Sequence, residues 1–227
     1  MMEIMKQFVV FGLGRFGESI AVTLHSMGHE VLAVDKDEDK VQAVSEKITH
    51  AVQADATDEN ALHTLGIRNF DVAVVAIGQD IQSSTLITLL CKEAGVKYVL
   101  AKAQNELHSK LLYKIGADKV VLPEMDMGVR IAQSLVSTNI LDYIQLTPHY
   151  RLVELQAIDV WNNRSLRDLD IRARYGINVM AVKRGDDINI SPSGEDIIHN
   201  GDILVVLGST EDIERFQESS DAGKRRK

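Results

Sequence analysis

The chain is short of cysteine, of long apolar runs and of positive charge, and each shortage removes a class of protein. One cysteine, Cys91, in 227 residues excludes an internal disulfide and fits a reducing compartment. Apolar stretches such as Val72 to Ile77 and Ile203 to Leu207 fall far below the ~20 residues that cross a bilayer, so no direct membrane insertion is expected. The opening Met1 to Gln7 has no basic flank and no apolar signal core, which argues against a secretion signal and for the cytoplasm. Lys and Arg number 25 against 33 Asp and Glu, a formal net charge of −8, unlike a surface built to neutralise nucleic-acid phosphates. The lone basic cluster, Lys224 to Lys227, follows Ser219, Ser220 and Gly223 and reads as a solvated tail.

What is present is ordinary globular material, 45% hydrophobic and 26% charged, in a length that suits two domains at ~100–200 residues each. From Gln7 to about Glu124, β-branched runs alternate with amphipathic stretches, the pattern of βαβ units and a parallel sheet. Strands are expected at Phe8 to Phe11, Glu30 to Asp35, Ala51 to Ala54, Val72 to Ile77, Tyr98 to Ala101 and Lys119 to Leu122, apolar almost throughout as strands covered on both faces must be. Gly28, Gly66, Gly95 and Gly116 each close a helical stretch. The fold class is therefore α/β, a Rossmann-like doubly wound parallel sheet.

After Pro123 a longer helix is expected, Asp126 to about Asn139, with Met127, Val129, Ile131, Ala132, Leu135, Val136 and Ile140 apolar. That face is too broad for one contact and reads as a crossover and dimerisation element. From Arg151 the pattern is a small α+β module. It comprises strand Leu152 to Ile158, helix Leu166 to Arg174 closed by Gly176, strands near Val179 to Val182 and Ile188 to Ile190 joined at Gly185-Asp186-Asp187, and strand Ile203 to Leu207. A Ser209/Asp212 capping box opens the last helix. The division read here is residues 1–140, 141–220 and a tail, 221–227.

The chemistry concentrates in Gly12-Leu-Gly14-Arg-Phe-Gly17, which follows the first strand and opens a helix. In that context Gly12 permits a tight turn, Gly14 lets backbone approach a pyrophosphate, and Gly17 lets helix and strand pack closely, while the helix N-terminus attracts the anion. Asp35, ending the second strand, is placed to accept hydrogen bonds from both hydroxyls of an adenosine ribose and to repel a 2′-phosphate, which disfavours NADP and leaves NAD or ATP. Asp55, ending the third strand, is either a second contact to the adenosine end or a plain turn residue. Arg15, inside the loop, suits a terminal phosphate.

Tyr98 and Lys102 have the spacing of a tyrosine/lysine dehydrogenase dyad, but Gly95 ends the preceding helix and puts both on a strand. There the side chains stand ~13 Å apart rather than ~5–6 Å. No other catalytic set is evident. The seven histidines are scattered without metal-ligand spacing, His108 reads as a helix-surface residue, and Cys91 as a buried, inert thiol among Leu86, Leu89 and Leu90.

Phe8 to Gly17, Val75-Ala-Ile-Gly78, Lys102-Ala-Gln-Asn105, Lys114-Ile-Gly-Ala-Asp118 and Pro123-Glu124 together closely resemble the RCK (regulator of potassium conductance) family, in its branch of cytoplasmic subunits of Ktr and Trk potassium transporters. The resemblance covers nearly the whole chain. It implies a regulatory ring, an octamer of four dimers, docked on a separate membrane potassium channel subunit, with ATP favouring the conducting form and ADP the inactive one. Carried over by position, Gly12, Gly14, Arg15, Asp35, Asp55 and Lys102 line the nucleotide, flanked by Phe16, Gly17, Lys36, Ala56, Ile77, Gly78 and Asn105. Glu124 falls beside the phosphates, where a mono- or divalent cation would have to separate the two negative groups. The second domain is similar to one that binds cyclic di-AMP at its dimer interface, with Arg172 for phosphate, Asn178 for an adenine edge and Ile177, Ile190 and Pro192 as apolar walls, the alternative being a domain that only dimerises. Two other readings stay open at this level: an NAD-dependent oxidoreductase with the second domain as substrate domain, and a scaffold whose nucleotide site is vestigial.

Overall fold

The computed structural model describes residues 5–136 and 140–224. The first four residues, the end of the expected crossover helix (137–139) and the last three residues of the basic tail lie outside the described residues. Two compact units result, Met1–Glu124 and Met125–Lys227.

The first unit alternates strands β1 (Gln7–Phe11), β2 (Glu30–Asp35), β3 (His50–Gln53), β4 (Val72–Val75), β5 (Tyr98–Lys102) and β6 (Lys119–Val121) with helices α1 (Arg15–Ser26), α2 (Glu38–Ser45), α3 (Glu59–Thr64), α4 (Ile81–Glu93) and α5 (Glu106–Lys114). The sheet order is β3-β2-β1-β4-β5-β6, and all five pairings are parallel. This is the doubly wound arrangement expected from the sequence, with the switch in strand order at β1 and β4, where such sheets open a crevice at their carboxyl ends. The unbroken apolar run of β1 follows directly. Val9 and Phe11 feed one core and Phe8 and Val10 the other, because successive side chains point to opposite faces. Each such buried side chain contributes roughly 1.5–3 kcal/mol.

Two side chains need comment. Cys91 is fully buried and desolvation pushes its thiol up to about 12, the inert thiol expected. His108, expected on a helix surface, is instead 3% exposed. It sits in the first turn of α5, where Nδ1 accepts from the Gln104 N–H at 3.3 Å, and burial lowers its pKa.

Helix α6 (Pro123–Val136) follows, and the second unit continues through β7 (Ile140–Thr147), β8 (Tyr150–Gln156), β9 (Arg164–Ser165), β10 (Asn178–Arg184), β11 (Asp187–Asn189), β12 (Ile197–Ile198) and β13 (Ile203–Ser209), with α7 (Leu166–Leu169), α8 (Ile171–Tyr175) and α9 (Thr210–Lys224). A five-stranded antiparallel sheet runs β11-β10-β13-β8-β7, and β12 pairs with β9 separately. Trp161, Tyr175 and Phe216 form an aromatic cluster in its core, with Tyr175 edge-on to Phe216 at 5.0 Å. One half of the capping box forms, the Asp212 N–H donating to Ser209 Oγ at 3.1 Å; in place of the other half, the Ser209 hydroxyl rather than its backbone N–H donates to Asp212 Oδ2 at 2.6 Å.

Three expectations are corrected. The helix expected over Leu166 to Arg174 is two, broken at Asp170, which adopts φ 42°, a left-handed conformation that Asp tolerates better than most residues. The long helix α6 begins three residues earlier than expected, since proline is favoured at a first helical position. Ile140, counted with that helix, opens β7, a strand not foreseen, and is buried there. On α6 itself Met125, Met127, Val129, Ile131 and Leu135 are about half exposed or more.

Candidate functional site

Four helices of the first unit begin with a side chain that satisfies their free N–H groups. Asp37 caps α2, Asp58 caps α3, Asp80 caps α4 and Asn105 caps α5. The exception is α1, whose N-cap is Gly14 with no capping side chain. The amides of its first turn are therefore left for another partner. A Cβ placed on Gly14 would meet nothing within 4 Å, so the space before that helix end is open. The other two glycines are required by contact. A Cβ on Gly17 would lie 1.9 Å from the carbonyl oxygen of Gly12, and one on Gly12, at φ 90°, would lie 2.9 Å from Ile77 Cγ1. The loop is a tight turn pressed on β4's exit, with its open side facing outward at the helix N-terminus.

Asp35 holds this loop in place. Its Oδ2 accepts from the Leu13 N–H at 2.6 Å and its Oδ1 from the Asp37 N–H at 3.0 Å, with the side chain 9% exposed. Each carboxylate oxygen keeps a second lone pair, so ribose hydroxyls can still be accepted. Next to it, Lys36 offers its carbonyl to Gln53 Nε2 at 3.2 Å. Asp55 is exposed, and its Oδ1 accepts from both the N–H (2.9 Å) and hydroxyl (2.7 Å) of Thr57. Those bonds, with the Lys36 charge nearby, hold its carboxyl below the usual range. Ala56 beside it is buried.

Lys102, at the carboxyl end of β5, lies close to the glycine loop. Its ammonium hydrogen-bonds Glu124, stands 5.7 Å from the Phe16 ring centroid, and would be 3.1 Å from a Cβ on Gly78. The Glu124 carboxyl is held below its ordinary value by the Lys102 hydrogen bond and, more weakly, by the Arg15 charge. Arg15, Phe16, Gly78, Lys102 and Glu124 thus converge around the loop, two cations and one carboxylate. Asn105 serves as a helix cap, accepting from the His108 N–H at 2.9 Å. Tyr98 and Lys102 fall at opposite ends of β5, so the dehydrogenase dyad does not form.

The second unit has a surface pocket of about 610 Å³ between α7, α8, the start of β10 and the loop at Pro192 to Gly194. Arg172, Ile177, Asn178 and Pro192 are among the residues that line it. Ile190 is not: it is 73% exposed and outside the lining, because β11 ends at Asn189 and the chain turns before it can close a wall.

The TrkA-N domain family matches residues 8–123 and the TrkA-C domain family residues 153–220. The chain belongs to the TrkA and Ktr family of potassium uptake proteins. It is 54% identical over 212 residues to the Ktr system potassium uptake protein A of Bacillus subtilis (strain 168), covering 93% of this chain and 96% of that one. To the Ktr system potassium uptake protein C of the same organism it is 52% identical over the same coverage. Among solved structures, the GsuK RCK domain shares the fold with a TM-score of 0.69 at 17% identity, covering 96% of this chain and 48% of that one.

In this TrkA/Ktr family chain, some residues at the two sites were not anticipated from sequence. Arg167, Asp170 and Gly194 also line the second pocket, and Arg167 pairs with Glu195. Isolated surface arginines carry no spacing signal, so nothing in the pattern marked them. Among the described residues no group of three or more His, Cys, Asp or Glu could hold a metal. A cation at Glu124 would therefore need phosphate oxygens, or a second copy of the chain, to complete its coordination.

Proposed function

We propose that this chain is the cytoplasmic regulatory subunit of a Ktr-type potassium uptake system, and that its first unit holds an adenosine nucleotide as a signal without transforming it. The observation that carries this reading is the uncapped N-terminus of α1, open at Gly14 among four helices capped by their own side chains. A bare helix end beside Arg15 and Lys102 is suited to phosphate, and Asp35 is suited to a ribose. ATP and ADP fit this arrangement, with NAD as the competing dinucleotide. ATP, with one more phosphate, would draw Lys102 and Arg15 away from Glu124, and a cation would then accommodate the displaced carboxylate. ADP reaches less far. That difference in contact is what lets one nucleotide bias a two-state assembly towards conduction and the other away from it.

The exposed apolar side chains of α6 support self-association into dimers, and through them a ring of eight on the membrane subunit. The pocket of the second unit, with Arg172 and Asn178 in its lining, is read as the cyclic di-AMP site that shuts uptake. Calorimetric titration with ATP, ADP, NAD and cyclic di-AMP tests the whole reading. Adenosine nucleotides should bind with no turnover, and Asp35→Ala should weaken all of them about tenfold or more by removing contacts common to every adenosine ligand. No heat with any adenine nucleotide would overturn the assignment in favour of a scaffold and steady hydride transfer by the wild type in favour of an oxidoreductase, while unchanged affinity in Asp35→Ala would remove that residue from the site.

A further inference from the structure

One buried titratable side chain of the first unit plays no part in the nucleotide site as described above, yet is tied to the segment that carries Lys102. His108 is 3% exposed. Its backbone N–H donates to Asn105 Oδ1 at 2.9 Å, and its ring Nδ1 accepts from the Gln104 N–H at 3.3 Å. The two bonds run in opposite directions across one turn, the reciprocal pattern of a capping box with histidine in the place usually taken by Glu or Gln. Ala103, itself buried, is fastened to the sheet by its N–H on the Val121 carbonyl at 2.9 Å. The chain therefore leaves β5 held at Ala103, Gln104 and Asn105 in turn, and Lys102, whose ammonium meets Glu124 and the Phe16 ring, stands at the start of that path.

The ring can make its bond in one protonation state only. Nδ1 accepts while it carries no hydrogen, which puts the proton of the neutral ring on Nε2, and Nε2 is buried without a partner among the described residues. A second proton would set a donor on Nδ1 against the Gln104 N–H and place a charge in a buried site with nothing to receive it. Helix α5 packs against α4 and β6. The titratable groups there are Cys91, a neutral thiol, Lys92, paired with Asp118, and Glu93 on α4, and Lys119 on β6; on α5 itself they are Glu106, Lys110, Tyr113 and Lys114, and on β5 Tyr98 and Lys102. None of these acts on the ring, whose pKa is lowered by burial alone.

We infer that His108 is a positioning residue for the nucleotide site: the neutral ring fastens the segment 102–105, and its protonation releases that segment, so that acid weakens nucleotide binding. The inference rests on the first unit binding an adenosine nucleotide. Affinity is full above about pH 6.5, the ordinary histidine value, and falls as pH drops through the lower value of the folded protein. Asp55 and Glu124 do not produce this response, because their carboxyls are held below the ordinary range and stay ionised where a histidine titrates.

The test is calorimetric titration of the full chain with ATP at about pH 7.5 and about pH 5, on either side of the histidine range, with melting curves at both. At the higher pH His108→Leu, which removes the acceptor and keeps the site apolar, should bind about three- to tenfold more weakly than wild type, the worth of one hydrogen bond. His108→Gln, whose side-chain oxygen can accept the same bond and takes up no proton, should recover most of that loss. At the lower pH wild type should weaken about three- to tenfold more than His108→Gln does. The ATP phosphate itself gains a proton near pH ~6, a contribution common to both proteins that the comparison removes. If wild type and His108→Gln weaken in parallel, or if His108→Leu melts lower yet binds as wild type does, the positioning role is overturned while the nucleotide site stands. Should His108→Leu fail to fold, the pH comparison with His108→Gln decides alone. If wild type gives no heat with ATP at the higher pH, the nucleotide reading fails and this inference fails with it.

Discussion

The two anion sites proposed for the two units would work by opposite means. The first does it with backbone: glycines that press a loop onto the sheet and leave the end of α1 bare. The second offers side chains instead, Arg167 and Arg172, set on short helices either side of a left-handed Asp170. A backbone cradle is rigid and unforgiving of any added atom, whereas a side-chain site can be tuned one residue at a time. The contrast predicts that equally small substitutions will be drastic in the first unit and graded in the second.

Gly17→Ala should show the largest effect. Its methyl carbon would stand 1.9 Å from the Gly12 carbonyl oxygen and 3.0 Å from Ala76 Cβ, and the nearer obstacle is backbone that no rotamer change can move. A cost of about 3 kcal/mol or more is expected, read as a lowered urea midpoint together with loss of ATP binding. A variant that folds and binds normally would show that α1 and the loop can separate.

Asp202→Asn is the counterpart in the second unit. Asp202 is 1% exposed and accepts both Arg184 Nε and Nη2 at 2.8 Å and the His199 N–H at 2.8 Å. The Arg184 hydrogen bonds hold its carboxyl below the ordinary value. A carboxylate whose pKa falls on folding stabilises the protein above its unfolded pKa, near 3.9, and that stabilisation is lost as pH falls through the folded value. Wild type should therefore lose stability below about pH 4 more steeply than Asp202→Asn. At neutral pH the variant should be weaker by about 2 kcal/mol, at the low end for a buried pair because the Arg184 side chain is 57% exposed. Parallel acid titrations of the two proteins would contradict this assignment.

The same contrast explains what could be read without coordinates. Gly12 and Gly17 were legible because backbone geometry admits few residue types there, and Gly14 and Asp35 because their spacing from those glycines is that of a dinucleotide-binding loop. The six parallel strands were legible because burial on both faces makes their apolar runs continuous. The second unit was less so. The paired strands β9 and β12 have two residues each, too few for an alternating pattern, and β7 followed directly on a helix-like run that absorbed Ile140. Asp170 carried no breaker signal of the kind glycine or proline gives. His108, between Leu107 and Ser109, was misplaced because its burial is decided by the packing of α5 against its neighbours and not by its own segment. Arg167 and Glu195 are ordinary surface residues until the loop at Gly194 brings them together.

Gly14→Ala sharpens the comparison more finely. Unlike Gly17, Gly14 has no neighbour within 4 Å of where a methyl carbon would stand, and an unremarkable φ of −70°, so folding should change by only about 1 kcal/mol or less. The methyl group would nevertheless occupy the space in front of the bare helix end, and ATP affinity should fall about tenfold. Retained affinity would mean that the anion is not held at that helix.

Asp55→Asn gives the smallest effect and separates two duties of one side chain. Asp55 Oδ1 accepts both Thr57 bonds, and an asparagine can keep that acceptor, so the turn and the melting temperature should be unchanged. Its second oxygen makes none of these bonds and is the one free to meet a ribose hydroxyl or adenine edge. Replacing it with a donor should weaken ATP and ADP alike by about threefold, the scale of a single exposed hydrogen bond. Equal weakening of both nucleotides places Asp55 at the adenosine end they share; a loss confined to ATP would place it by the phosphates; and no loss would make it a turn residue only. The first outcome would give the first unit one graded, side-chain contact beside its rigid cradle, the property that otherwise distinguishes the second.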